Sequence, residues 1–157
     1  MRSFPGLLLV AALFVWAGLV AGISFLEAPL KFTAPHITVP LGVGIGRVVF
    51  HALNKVELGC WALAVGGALY LPVPRLLGPV LAALSGVLLT QTFWLLPALD
   101  ERATALLAGH TPPANALHLL YIAAEAVKVL LLLGAGGMAY YLPNRQPQTT
   151  KRQLQSA

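Results

Sequence analysis

The sequence predicts an all-α, polytopic membrane protein that folds as a four-transmembrane-helix bundle, and two observations carry this prediction. Charged residues make up only 10% of the 157 residues, and the mean hydropathy is +0.80, whereas a soluble domain carries about 25% charged residues. The chain also contains apolar runs long enough to cross a bilayer core of about 30 Å. The predicted helices lie at about 5–27, 46–71, 76–107 and 114–142, within one domain of residues 1–143.

The ends of the apolar runs set the first two helices. The first run follows Arg2 and is longer than the roughly 7–15 apolar residues of a cleaved signal peptide, so it predicts a retained helix. Pro29 then kinks or ends that helix. The connection over residues 30–46 is too apolar for a solvated loop, and its alternating glycines match no phosphate-binding fingerprint. The second helix begins near Gly46 and continues to Leu71.

Turns rich in proline and glycine separate the later helices. A Pro-Val-Pro turn at residues 72–74 precedes the third helix, which continues amphipathically past Pro97 to Leu107. The turn at residues 109–113 ends it and leads into the fourth helix. The tail of residues 144–157 is polar, and we expect it to be disordered and cytoplasmic.

Basic residues predict the orientation of the four spans, which place both termini on one side. That side carries Arg2, Arg75, Arg145, Lys151 and Arg152. The positive-inside rule therefore places both termini in the cytoplasm, most simply in a bacterial inner membrane. Bases on the opposite side count against it, namely Lys31, Arg47 and Arg102. The net charge of +5 does not indicate nucleic acid, because many of these bases lie at helix ends beside the lipid bilayer.

One polar stripe marks the fourth helix as the centre of the molecule. At about 100° per residue, His118, Tyr121, Glu125 and Lys128 fall within about 80° of one another. Ionisable side chains at membrane depth are costly and face a bundle interior or a wet cavity. We therefore expect the stripe to face inward, with Glu125 and Lys128 paired or one of them neutral.

Similar motifs about 70 residues apart predict two tandem helix-hairpin repeats. Phe25-x-x-x-Pro29 matches Phe93-x-x-x-Pro97, and His51 matches His118. Related hairpins would make the second and fourth helices parallel, with an axis along the membrane normal. His51 and Glu57 would then lie across from the polar stripe.

The leading hypothesis from this arrangement is a metal or haem site. Neutral imidazoles from two helices are common axial ligands of haem, and histidine also suits copper. The candidate metal ligands are His51, His118, Glu57 and Glu125, and the candidate cofactor-binding residues are His51, His118 and Tyr121. Haem b and copper are the cofactors that this hypothesis names.

Two other functions remain open at this level. The buried acids and bases could form a proton relay in a small-molecule transporter or exporter, which with only four helices would be a homo-oligomer. The same residues could instead be structural in an accessory subunit that docks onto a partner membrane subunit. The residues of this structural or relay group are Glu125, Lys128, Lys55 and Asn54. The sequence predicts neither a reaction nor a particular ligand.

Short motifs also resemble those of a known family. They are Trp16, Phe25-Leu-Glu-Ala-Pro29, Trp94-Leu-Leu-Pro97, Arg102-Ala-Thr104 and His118. This spacing resembles a family of small four-helix membrane proteins of unknown function that includes the cisplatin-resistance-associated transmembrane protein, and more distantly the anthrone-oxygenase-like membrane family. The resemblance implies a four-helix bundle and no established activity.

Overall fold

Four long helices account for nearly all of the chain that the computed structural model describes, which comprises residues 4–110, 113 and 116–141. The helices are α1 (Phe4–Thr33), α2 (Val39–Tyr70), α3 (Leu77–Leu107) and α4 (Leu117–Tyr140). This confirms the predicted all-α four-helix fold. The predicted disordered tail of residues 144–157 lies outside the described residues.

Each helix is long and apolar enough to cross a membrane, so the chain is a multi-pass membrane protein. Successive helices are antiparallel, and α1 packs against α2 and α4 while α3 packs against the same two helices. The outer surface carries large exposed apolar side chains, among them Leu63, Leu69, Phe93 and Leu130. Such a surface suits a lipid environment, because exposing apolar side chains to lipid chains costs no free energy.

A widened, π-helical turn interrupts both α1 and α3. These turns cover Ala21–Glu27 in α1 and Gln91–Leu95 in α3, and each lies just before a proline, Pro29 or Pro97. Proline has no backbone N–H, and its ring clashes with the carbonyl four residues earlier in a regular α-helix. A wider turn before the proline relieves that clash without ending the helix, so both helices continue beyond their prolines.

Two helix ends therefore differ from the predicted ones. α1 continues to Thr33 instead of ending near residue 27, because the widened turn accommodates Pro29. α2 begins at Val39 instead of near Gly46, where the Thr38 side chain accepts a hydrogen bond from the Leu41 N–H as an N-cap. Gly42 and Gly46 of this stretch are helical and let the end of α1 approach closely: a Cβ at Gly46 would lie 2.8 Å from the Lys31 ammonium.

The two ends of the bundle are built differently, and we name them by what they contain. The terminal half is the end marked by Phe4, Tyr70, Leu77 and Tyr140. The cavity half is the end marked by Thr33, Val39, Leu107 and Leu117. A large apolar core fills the terminal half, and its members include Leu9, Leu13, Trp16, Leu81, Leu84, Leu88 and Leu132. A smaller core of Leu95, Leu96 and Tyr121 lies in the cavity half.

Candidate functional site

A buried lysine between two buried glutamates lies where the two halves of the bundle meet. The Lys128 ammonium lies 2.5 Å from Glu57 Oε1 and 3.0 Å from Glu125 Oε1. Lys128 and Glu125 are fully buried, and only 1% of Glu57 is exposed. Each residue lies near the middle of its helix. We call these three residues the ion cluster.

Neutral side chains complete the hydrogen bonding of the ion cluster. Lys128 Nζ donates to Gln91 Oε1 at 2.7 Å, and Gln91 Nε2 donates to Glu125 Oε1 at 2.8 Å. The Trp16 indole donates to Glu57 Oε1 at 2.8 Å. Trp16 belongs to α1, Glu57 to α2, Gln91 to α3 and the other two residues to α4, so all four helices meet at this network. Among the described residues, no buried side-chain nitrogen or oxygen lacks a partner.

The two π-helical turns deliver polar groups to the same carboxylate. Ser24 lies in the widened turn of α1, and its hydroxyl donates to Glu125 Oε2 at 3.2 Å. Gln91 opens the widened turn of α3 and donates to Glu125 Oε1. Widened turns are frequent at functional sites because they redirect one side chain without breaking the helix. Glu125 is therefore the residue that the backbone distortions of two helices hold in place.

Formal charges do not balance in the ion cluster. It contains two carboxylates and one ammonium, and the groups from α1 and α3 that contact it are neutral. In the described residues, no second cation pairs with either carboxylate. An unpaired charge in a low-dielectric interior is costly, and such a group commonly takes up a proton instead. One added positive charge, from a proton or from a ligand, would make the cluster neutral.

A cavity of about 600 Å³ extends from Glu125 into the cavity half. Polar groups of Ser24, Tyr121 and Glu125 line its inner end, apolar side chains form most of the wall, and charged side chains line the opposite end. The walls include Phe25, Phe32, Phe50, Leu96, Leu99 and Ile122. This size and composition are typical of a pocket for a small organic ligand with a few polar anchors.

Ion pairs line the mouth of the cavity. Arg47 Nε lies 3.2 Å from Asp100 Oδ1, and His51 Nε2 lies 2.6 Å from Asp100 Oδ2. Lys31 pairs with Glu27 at 3.3 Å. The Lys31 ammonium also lies 5.5 Å from the centre of the Phe50 ring and 5.7 Å from that of Phe32, which is within cation–π range.

The structure separates the predicted histidine ligands from the predicted acidic ones. His118 is exposed and lines the cavity, whereas His51 binds Asp100 at the mouth. Glu57 and Glu125 both contact the Lys128 ammonium. Among the described residues, no group of three or more histidine, cysteine or acidic side chains could hold a metal ion. Binding of haem b or copper stays a prediction that none of these contacts favours.

Other predicted site residues fall into three places. Tyr121 is buried, packs edge-on against Phe50 and lies beside Glu125 at the inner end of the cavity. Asn54 is buried and donates to the Thr92 hydroxyl at 2.9 Å, which joins α2 to α3. Lys55 is exposed and is not part of the ion cluster.

Three members of the network were not predicted as site residues. Trp16 and Ser24 lie in the long apolar run of the first helix, and Gln91 lies in that of the third helix. Gln91 carried a usable signal, because a primary amide within an apolar span needs interior partners. Nothing in the sequence distinguishes Ser24 from a serine that bonds to its own helix.

Comparisons with protein families, curated proteins and solved structures find no significant match to this chain. The resemblance to the small four-helix membrane family therefore stays a prediction.

Proposed function

We propose that the protein is a proton-linked transporter of a small apolar molecule, with Glu125 as the proton-carrying residue. The observation that carries the proposal is the position of Glu125, which belongs to the unbalanced ion cluster and also lines the cavity. Intramembrane carboxylates in such positions typically serve proton relays in pumps and transporters. The apolar cavity walls supply the binding surface for the transported molecule.

The contacts suggest how a proton and a ligand are coupled. When one carboxylate carries a proton, the ion cluster is neutral and the Lys128 ammonium pairs with the other carboxylate. Loss of that proton leaves an uncompensated negative charge beside the cavity, which a low-dielectric interior disfavours. A ligand that offsets this charge binds more tightly when the proton is absent. A ligand that excludes water from the charge binds more tightly when the proton is present.

A transport assay in proteoliposomes tests this function. Purified protein is reconstituted, a pH gradient is imposed, and the uptake of three apolar fluorescent probes, one neutral, one cationic and one anionic, is followed. We expect the gradient to drive uptake of at least one probe above the rate in protein-free liposomes. Glu125→Gln should abolish the dependence on the gradient, because glutamine preserves the shape but carries no exchangeable acidic proton.

Lys55→Ala is the matched control, because Lys55 is a lysine of α2 that is exposed and outside the ion cluster. This variant should transport at the wild-type rate. Wild-type protein that moves none of the probes faster than empty liposomes would contradict the proposal. A Glu125→Gln variant that keeps its full response to the gradient would contradict the role of Glu125.

For the topology, we propose that both termini are cytoplasmic in a bacterial inner membrane. The support is the basic residues beside the spans at the terminal side, including Arg2 and Arg75. A cysteine introduced after residue 144, in a Cys60→Ala background, should resist an impermeant thiol reagent applied to intact cells. Labelling of that cysteine in intact cells would show that the termini lie on the opposite side of the membrane.

We also propose that the two hairpins are structural repeats. The support is the shared order of a widened turn and then a proline in α1 and α3, at Phe25 to Pro29 and Phe93 to Pro97. In an experimental structure, superposing residues 10–72 on residues 78–143 should align both prolines. An alignment that places the prolines on different turns would reject the repeat.

A further inference from the structure

We propose that the transported molecule is an apolar monocation, which binds Glu125 in place of the proton. This inference rests on the proton-linked function proposed above and names its substrate class. Three features support it: the charge of the ion cluster, the Ser24-facing oxygen of the Glu125 carboxylate and the aromatic walls of the cavity.

The two oxygens of Glu125 have different surroundings. Oε1 is engaged within the bundle, where it accepts hydrogen bonds from both Lys128 and Gln91. Oε2 instead accepts from the hydroxyl of Ser24, a cavity-lining residue, at 3.2 Å. A hydroxyl can turn away or donate elsewhere, since it rotates to suit its partners. Oε2 is thus the oxygen to which a cation in the cavity can bind without displacing Lys128.

The charge of the ion cluster selects the charge of the ligand. With both carboxylates ionised and Lys128 protonated, the cluster carries one net negative charge. A single positive charge at the inner end of the cavity neutralises it, as a proton does. An anion would add a second negative charge to a desolvated site, and a dication would leave one positive charge over. A monocation and a proton are therefore interchangeable at this site and compete for it.

Aromatic rings in the cavity walls suit a cation of low hydration. The Phe50 ring packs edge-on against Tyr121 with centroids 5.3 Å apart, and Phe25 and Phe32 form further parts of the wall. The Lys31 ammonium lies within 6 Å of the Phe50 and Phe32 ring centres, so these two rings already stabilise one positive charge. Cation–π attraction grows when the cation is desolvated.

Other ionisable groups also face the cavity and contribute to the pH dependence of binding. They are Lys31, Arg47, Asp100, Arg102, His118 and Tyr121. Lys31 and Arg47 at the mouth each pair with an acid, Glu27 and Asp100. These mouth groups are partly exposed, where solvent screens them. The ion cluster lies at the buried end, where one charge has the larger effect on binding.

The experiment measures proton exchange during binding of tetraphenylphosphonium, an apolar monocation that has no proton of its own. The cation is titrated into the purified full-length protein in weakly buffered detergent solution, and the pH change and heat are recorded. We expect about one proton to be released per cation bound. Because the cation competes with that proton, its affinity should increase about tenfold for each unit by which the pH is raised, as long as the free site is protonated. Triphenylphosphine oxide is the neutral control and should release no proton.

Glu57→Gln is the sharpest variant, because Glu57 does not line the cavity but contributes to the charge. With Glu57 neutral, the charges of Glu125 and Lys128 balance each other, and no net negative charge remains to attract a cation. Binding should weaken about tenfold or more, equivalent to 1.4 kcal/mol or more, and proton release should disappear. Glu125→Gln should have the same effect, whereas Lys55→Ala should bind and release protons as the wild type does.

Each contrary result has a distinct meaning. Tetraphenylphosphonium binding without proton release in the wild type, or unchanged proton-linked binding in Glu57→Gln, overturns the cation inference. Proton exchange on binding of the neutral control, with none for the cation, overturns the inference but leaves a proton-linked transporter standing. No proton exchange with either molecule, together with no gradient-driven transport of any probe, contradicts the proposed function as well.

Discussion

The terminal half and the cavity half use the same four helices for different purposes. In the terminal half, leucines from three helices close around Trp16, and the interior contains few polar atoms. In the cavity half, the helices enclose about 600 Å³ of space and carry ion pairs at its mouth. The ion cluster lies at the boundary, where Trp16 donates to Glu57 from the terminal side and Ser24 donates to Glu125 from the cavity side.

The two halves contribute unequally to the stability of the bundle. In lipid, helices associate through close packing and internal hydrogen bonds, since lipid chains are as apolar as leucine. The tightly packed terminal half supplies those contacts, so the cavity half can tolerate open space and buried charge. Variants that disturb the two halves should therefore have effects of different size and kind.

The largest expected effect follows from removing the cation of the ion cluster. Lys128→Met leaves Glu57 and Glu125 facing each other without an ammonium between them. Breaking a buried ion pair by removing one partner costs about 3–5 kcal/mol, so the free energy of unfolding of the detergent-solubilised protein should fall by that amount at neutral pH. Thermal or denaturant unfolding followed by circular dichroism measures the change.

The triple variant Glu57→Gln, Glu125→Gln, Lys128→Met is the control for that loss. It removes all three charges while keeping similar side-chain volumes, and it should recover most of the lost stability, because replacing a whole buried ion pair is often neutral. A Lys128→Met variant as stable as the wild type would show that the ion cluster does not determine the stability of this boundary.

A smaller effect is expected from adding one methyl group in the terminal half. A Cβ at Gly136 would lie 2.9 Å from the Phe14 ring, whereas a Cβ at Gly137 would meet nothing within 4 Å. Gly136→Ala should therefore destabilise the protein by about 1 kcal/mol, the low end for overpacking, because the Phe14 ring is 41% exposed and can shift. Gly137→Ala, its neighbour on α4, should be neutral or stabilising by up to about 1 kcal/mol.

The same unfolding assay compares the two alanine variants. Phe14→Leu should relieve the loss in Gly136→Ala, because it removes the ring that the new methyl group would strike. Equal stability of the two alanine variants would contradict the close packing of α1 against α4, and with it the contrast between the two halves.

The smallest expected effect concerns a single hydrogen bond between helices. Asn54 Nδ2 donates to Thr92 Oγ1 at 2.9 Å, and that hydroxyl also donates to the Leu88 carbonyl within α3. A double-mutant cycle with Asn54→Ala and Thr92→Val should give a coupling of about 0.6 kcal/mol, the average for such bonds in membranes. A coupling of several kcal/mol would show that polar contacts between helices, and not the apolar core of the terminal half, supply most of the stability.

The sequence predicted the helices and the inward direction of α4 because both depend on local patterns. Apolar runs gave the four spans, and the spacing of Tyr121, Glu125 and Lys128 gave the buried face. His118 belongs to the same stripe but lies in the first turn of α4, where it is exposed. A helical wheel predicts which way a side chain points around the helix axis. It does not predict whether that level of the helix is covered by neighbouring helices.

Spacing on a regular helix predicted the pairing of Glu125 with Lys128, but it could not predict the partners of Glu125 on the other helices. Ser24 and Gln91 lie in π-helical turns, where each turn holds more residues than the 3.6 of an α-helix. Their directions therefore depart from the wheel that places the rest of α1 and α3. The prolines at positions 29 and 97 were visible in the sequence, but the sequence does not show whether proline kinks, ends or widens a helix.

In the proposed arrangement, two carboxylates share one ammonium and a proton supplies the missing positive charge. Infrared difference spectroscopy between acidic and alkaline samples in deuterated and normal water tests it through the stretching band of a protonated carboxylic acid. The wild type should show one buried acid that keeps its proton at neutral pH. That band should be missing from both Glu57→Gln and Glu125→Gln, because each variant leaves one carboxylate balanced by Lys128. A wild type with no such band at neutral pH, or a band that persists unchanged in both variants, would contradict this arrangement.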